Sequence, residues 1–168
     1  MPEHPFDRLS LEDGSALLFT PCPGTKGVAL RDSLLQLAQA GAGAVISLTP
    51  LDEMERLGVS ELPALCQELG LRWFHFPVED DAAPGDAFRD AWARDRDEVL
   101  ALLDGQTTSA IHCRGGSGRT GLMAALLLLE RGLPYEHAMT AVKALRPSAL
   151  QLDVHVGYLM DAKRSGTQ

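Results

Sequence analysis

A chain of 168 residues with net charge −8, 45% hydrophobic and 23% charged residues, has the composition of a globular protein long enough to bury one core without disulfides or metals. The acidic balance excludes nucleic acid or an anionic membrane as the main partner, because both require clustered Lys and Arg, so any anion site has to be local. Cys22, Cys66 and Cys113 show no CxxC spacing, which excludes a disulfide framework and a zinc site.

The N-terminal MPEHPFDRLS lacks a basic n-region and an apolar h-region, and Leu122–Leu129 is too short to span a bilayer. The expectation is a cytoplasmic, monomeric, single-domain protein over residues 1–168, with no nucleic-acid partner and no membrane insertion. Phe6–Leu11 and Ala16–Thr20 flank the turn Glu12-Asp13-Gly14-Ser15, which predicts an N-terminal hairpin over 6–20 at a sheet edge. Pro21-Cys22-Pro23-Gly24 then ends the strand, with Cys22 as a small packed residue. Arg31–Ala40 has helical apolar spacing, with Asp32 or Ser33 at its start and Gly41 as its stop, and Ala44–Leu48 reads as a buried strand.

Thr49–Gly58 follows that strand, where open α/β sheets place ligand-contacting loops. It is either a substrate-recognition loop or a short solvated helix carrying Asp52, Glu53 and Glu55. Ser60–Leu69 reads as a helix with Ser60 as N-cap, Pro63 in its first turn, Cys66 in the core and Gly70 as stop. Leu71–Val78 alternates as a strand with His75 as a packed or surface residue, and Glu79–Asp86 supplies the carboxylates Glu79, Asp80, Asp81 and Asp86. An amphipathic helix over Ala87–Leu103, a strand at Ser109–His112 and a helix at Thr120–Glu130, apolar nearly all round, come next. Pro134–Leu145 and Gln151–Lys163 make two more helices, separated by Arg146-Pro147-Ser148, and residues 164–168 are expected to fray. The alternation of strands and helices predicts an α/β fold: a central, mostly parallel sheet of four to five strands with helices on both faces.

The chemistry concentrates in HCRGGSGRTG, His112–Gly121. Cys113 and Arg119 enclose Arg114, Gly115, Gly116, Ser117 and Gly118, and the three glycines let successive backbone N–H groups turn inward around an oxyanion. The amides, the positive helix end and the Arg119 guanidinium favour a dianion at that point, and the same field favours Cys113 as thiolate, the nucleophilic form. Arg119 can donate two parallel bonds to two phosphate oxygens. Thr120 can offer its hydroxyl to the sulfur, and His112 can hold the loop through its ring nitrogens. Phosphoryl transfer also needs an acid for the leaving oxygen. Asp80 and Asp81 are the candidates, and composition does not rank them. No cofactor or metal is called for.

His-Cys-x5-Arg-Thr resembles the signature of the cysteine-dependent protein tyrosine phosphatase superfamily. PCPG, LxxxGAGAVISLTPLDEM, PVEDDAAP and LRPSALQ extend the resemblance to the compact dual-specificity type, and within it to the kinase-associated, cyclin-dependent kinase inhibitor 3-like phosphatases, from about residue 20 to residue 159. The resemblance implies a phosphomonoester hydrolase with a phosphocysteine intermediate, a phosphorylated protein or small phosphate ester as substrate, and Asp80 as the acid, with Asp81 in reserve. It carries over Gln151 only weakly as a residue near the attacking water. Arg114 departs from the small residue of many relatives, and phosphoinositide-directed relatives place lysine there. That keeps a phosphoinositide or other small phosphate ester as an alternative substrate. A phospho-ligand binding module without turnover is the rival from another class.

Overall fold

A computed structural model describes residues 2–166. The hairpin forms as β1 (Asp7–Ser10) and β2 (Ala16–Thr20), followed by α1 (Leu30–Gln39), β3 (Ala42–Ser47), α2 (Leu51–Arg56), α3 (Leu62–Glu68) and β4 (Arg72–His75). The second half contains α4 (Asp86–Asp104), β5 (Thr108–His112), α5 (Gly118–Glu130), α6 (Tyr135–Leu145) and α7 (Asp153–Gly166). The strands form one sheet in the order β1-β2-β5-β3-β4, antiparallel at β1–β2 and parallel elsewhere.

Alternation along the strands sorts the core into two layers. Leu17, Phe19, Ile46 and Ile111 face one layer, shared with α4 to α7. Leu18, Val45 and Ala110 face the other, shared with α1 to α3 and containing Cys66. Helix α5 is buried without a break from Arg119 to Leu128, as a helix apolar on every side must be. Its close packing depends on Gly121. A Cβ there would lie 2.6 Å from Ala149 Cβ and 3.2 Å from Val142 Cγ1.

Several boundaries differ from expectation for identifiable reasons. β3 begins at Ala42 because Ala42 pairs with Thr108 before the ladder shifts register to Ala44↔Ser109. β4 stops at His75, although Phe76 N still donates to Ser47 O at 3.0 Å and Val78 N to Leu48 O at 2.9 Å. Pro77 between them has no N–H to offer. The Ser33 hydroxyl turns inward to Ala29 O at 3.0 Å, and α1 has no side-chain cap. Helix α7 runs through Arg164 to Gly166, three residues further than the sequence expectation of Lys163. Thr167 and Gln168, the end of the segment expected to fray, lie outside the described residues. Among the described residues no helix is long and apolar enough to cross a membrane.

This topology converges on one sheet edge. β5 sits between β2 and β3, and the C-terminal ends of the four parallel strands β2, β3, β4 and β5 all open on the same side. Their following loops surround the segment that leaves β5 at Cys113, which is where open α/β sheets bind ligands.

Candidate active site

Cys113 is buried, and its sulfur accepts two bonds: Gly116 N donates at 3.3 Å and Thr120 Oγ1 at 3.2 Å. Both donors favour negative charge on sulfur. The loop closes this tightly because Gly116 takes φ +82° and lies against the preceding strand. A Cβ at 116 would lie 2.6 Å from both Thr20 C and Pro21 N, so only glycine fits. Cys22 N extends the parallel pairing past β2 by donating to Arg114 O at 2.9 Å. Arg146 braces the loop from outside, with Nε on Gly116 O at 3.0 Å and Nη2 on Phe19 O at 3.3 Å. In the sequence Arg146 stands only in the separator between two helices, with no local sign of this role.

Arg119, in the first turn of α5, is 2% exposed and tightly held. Nη1 and Nη2 donate to the two carboxylate oxygens of Glu53 at 2.8 and 2.9 Å, and Nη1 also donates to Val78 O at 3.0 Å. Guanidinium has five N–H bonds in a rigid plane. Three are used here, leaving Nε–H and one Nη2–H on a single edge, the spacing that meets two oxygens of a phosphate. Burial works against the cation, but the Glu53 bond and the nearby Cys113 and Asp80 outweigh it and hold its pKa above the usual range. Glu53 is the residue that sequence reasoning missed. It lies in α2 beside the exposed Asp52 and Glu55, yet is itself buried. The segment 49–58 thus forms a short helix that is only partly solvated, with Glu53 turned inward, and Leu57 at its end lines the same pocket as Arg119.

Asp80 Oδ1 forms an ion pair with Arg119 Nε at 3.7 Å, on the edge that donates no hydrogen bond, with its side chain 65% exposed. Asp80, Cys113 and Arg119 share a pocket of about 450 Å³ with Thr25, Lys26, Arg114, Gly115, Ser117 and Gly118. Asp81 is not among its lining residues and takes φ +61°. The loop carrying both aspartates is tied to α7, where buried His155 bonds through Nε2 to Ala82 O at 2.8 Å. Gln151 is exposed and donates to Pro147 O at 3.0 Å, so it is not brought to the sulfur. His75 also faces a backbone carbonyl, that of Thr49, at 2.8 Å. Burial pushes the Cys22 and Cys66 thiols up to about 12, in Cys22 with help from Cys113 and Glu53, so neither competes as a nucleophile.

Residues 24–155 match the family model described as the Swiss Army Knife protein, DSP-PTPase phosphatase domain. The chain belongs to this family. Among curated relatives, the DSP-PTPase domain is 27% identical over 112 residues to mouse protein tyrosine phosphatase type IVA 2, covering 58% of this chain and 64% of that protein. It is 29% identical over 127 residues to human cyclin-dependent kinase inhibitor 3, covering 74% of this chain and 58% of that one. The matches therefore span less than two thirds of either relative's length. In fold, it resembles a crystal structure of kinase associated phosphatase bearing serine in place of its catalytic site cysteine. The TM-score is 0.85 at 24% identity, over 99% of this chain and 98% of that one.

Behind the pocket of the DSP-PTPase domain, His112 is fully buried. Its Nδ1 lies 3.0 Å from Cys113 O, which can only accept, so Nδ1 carries the proton. Nε2 then accepts from the Ser47 hydroxyl at 2.6 Å, which itself accepts from Trp73 Nε1 at 2.9 Å. Both ring nitrogens of a neutral imidazole are satisfied. Burial, seconded by the charges of His75 and Arg119, pulls the His112 pKa from 6.5 to about 4, against the opposing bond to Cys113 O. The unfolded chain takes this proton near pH 6.5, while the folded chain refuses it until about pH 4. Stability is therefore full above pH 6.5 and falls as pH drops through that window, by about 3 kcal/mol from this group. Burial shifts His4, His75 and His155 the same way. Urea midpoints should fall between about pH 7 and about pH 4.5, and a flat profile would contradict the buried neutral imidazole.

Proposed function

We propose that the chain is a cysteine-dependent phosphomonoesterase of the dual-specificity type, a cytoplasmic enzyme acting on phosphorylated protein. The observation that carries this reading is the Nε/Nη2 edge of Arg119, which donates no hydrogen bond within the protein and faces only the Asp80 carboxylate, in the same pocket as the doubly hydrogen-bonded Cys113 sulfur. A phosphate on that edge and on the inward amides of the 114–118 loop presents phosphorus to Sγ. Sγ forms a bond to phosphorus as the bond to the leaving oxygen breaks, and Asp80, protonated, gives its proton to that oxygen. Water then attacks the phosphocysteine, Asp80 takes its proton, and the S–P bond breaks. Thr120 Oγ1–H and Gly116 N–H receive the departing thiolate. His112 holds the loop through Cys113 O, and Glu53 keeps Arg119 in the orientation that leaves one edge open.

Asp80→Ala and Asp81→Ala separate the two carboxylates. Asp80→Ala should lower kcat by about 10²–10⁴-fold on a phosphothreonine peptide, the usual reach of a general acid, and by less on an activated aryl phosphate whose leaving group needs little protonation. Asp81→Ala should stay close to the parent. The reverse order would overturn the acid assignment. Wild-type protein that binds phosphopeptide but releases no inorganic phosphate from any ester would make the chain a binding module.

A further inference from the structure

Two cations at the pocket mouth are not absorbed by this mechanism. Among the described residues every arginine except Arg114 bonds to a carboxylate or a backbone carbonyl. Among the described residues the Arg114 and Lys26 side chains find no hydrogen-bond or ion-pair partner. Both are exposed, and both line the pocket that contains Cys113, Arg119 and Asp80. They come from different loops, one after β2 and one after β5, joined by the Cys22 N to Arg114 O bond. A turn held by Thr25 Oγ1 on Cys22 O at 2.6 Å then brings Thr25 and Lys26 to the rim. In a chain with 23 acidic residues and net charge −8, two cations that line one pocket without a hydrogen-bond or ion-pair partner are free for a ligand's charge.

We infer that Lys26 and the Arg114 guanidinium form a second anion subsite, and that the substrate is a phosphopeptide carrying another anion, a phosphate or a carboxylate, beside the phosphate that is removed. This inference rests on the proposed phosphatase reading and names the substrate class for the same pocket. The surroundings favour a peptide over an anionic bilayer. Asp80 lines the pocket, and Glu79, Asp81 and Asp86 stand exposed on the adjoining loop. A flat anionic surface would meet all of them, and membrane attraction needs several clustered cations rather than two. A peptide presents its second anion on a single side chain rather than as a continuous charged plane. Exposed charge pairs contribute a few-fold each, so the two together should give about a tenfold preference, weakening as salt rises.

The experiment compares kcat/KM for three peptides of one sequence: one phosphothreonine with neutral flanks, the same with an acidic neighbour, and the same with a neighbouring phosphoserine. An aryl phosphate and phosphatidylinositol phosphate vesicles run alongside. The doubly phosphorylated peptide should exceed the neutral-flanked one by about tenfold at low salt. Lys26→Gln should cut that ratio to about threefold while aryl phosphate turnover stays at the wild-type value. A wild-type ratio near one, or a ratio unmoved in Lys26→Gln, would overturn the subsite. Faster turnover of the vesicles than of the doubly phosphorylated peptide would overturn the peptide as occupant. Calorimetric binding of the same peptides to Cys113→Ser reads the subsite without turnover. Failure of the phosphatase reading, seen as no hydrolysis of any ester, is thereby kept distinct from failure of this one.

Discussion

Cys113→Ser is expected to abolish hydrolysis of an aryl phosphate, lowering kcat by roughly 10⁴-fold or more, the scale on which loss of a covalent nucleophile is felt. The reason is chemical rather than structural. The donors that converge on the sulfur, Gly116 N at 3.3 Å and Thr120 Oγ1 at 3.2 Å, favour charge on a thiolate. A serine hydroxyl offers them a neutral oxygen with no base beside it to take its proton. His112 cannot serve as that base, because its Nδ1–H is committed to Cys113 O and its Nε2 accepts from Ser47. Ser is slightly smaller than Cys, and the loop is held by Gly116, Arg146 and the Cys22 N bond rather than by the sulfur. The variant should therefore keep the parent's thermal midpoint and bind phosphate or a phosphopeptide. Turnover within tenfold of the parent would remove Cys113 from the mechanism, and a collapsed thermal midpoint would assign the sulfur a structural role instead.

The contrast between what the sequence reveals and what it hides follows the range of the interactions. His112–Gly121 is legible because its parts act on one another across ten residues: a strand end, glycines that permit the turn, and an arginine in the first turn of the helix that follows. Gly116 could be read as permissive from composition, but that its Cβ would strike Thr20 and Pro21 depends on a strand almost a hundred residues earlier. The layered sheet was legible from alternation and glycine stops. The bulge at Ala42/Ala44 was not, because it arises from pairing with β5. Glu53 shows the limit most clearly. In sequence it is one of three acids in TPLDEMERLG, and nothing local separates it from Asp52 or Glu55. Only the fold brings it to Arg119 in the first turn of α5, 66 positions away. Composition does not separate Asp80 from Asp81, the family resemblance puts Asp80 first, and of the two the fold brings Asp80 to the pocket lining. Lys26 carries no pattern at all, and its meaning comes from the absence of a carboxylate partner around it.

Arg119→Lys tests the other half of the site, and its expected cost is about 10³-fold in kcat/KM, at the lower end of what a phosphate-clamping arginine contributes. Lysine retains the positive charge, so a purely Coulombic role would survive. The fork would not: one ammonium cannot occupy both Glu53 oxygens at 2.8 and 2.9 Å, reach Val78 O and still present two parallel donors to phosphate. If the ammonium stays with Glu53, the phosphate loses both of its Arg119 bonds. If it turns to phosphate, a carboxylate in a dry site is left unpaired. Complete loss of one partner from a buried ion pair costs about 3–5 kcal/mol, and the retained charge should hold the loss below that. Glu53→Gln supplies the complementary arm. A glutamine can still accept one guanidinium N–H and leaves the Nε/Nη2 edge intact, so the rate should fall less than in Arg119→Lys while stability falls measurably. Activity of Arg119→Lys within about twofold of the parent would show that charge alone suffices and that the geometry of the open edge does not matter.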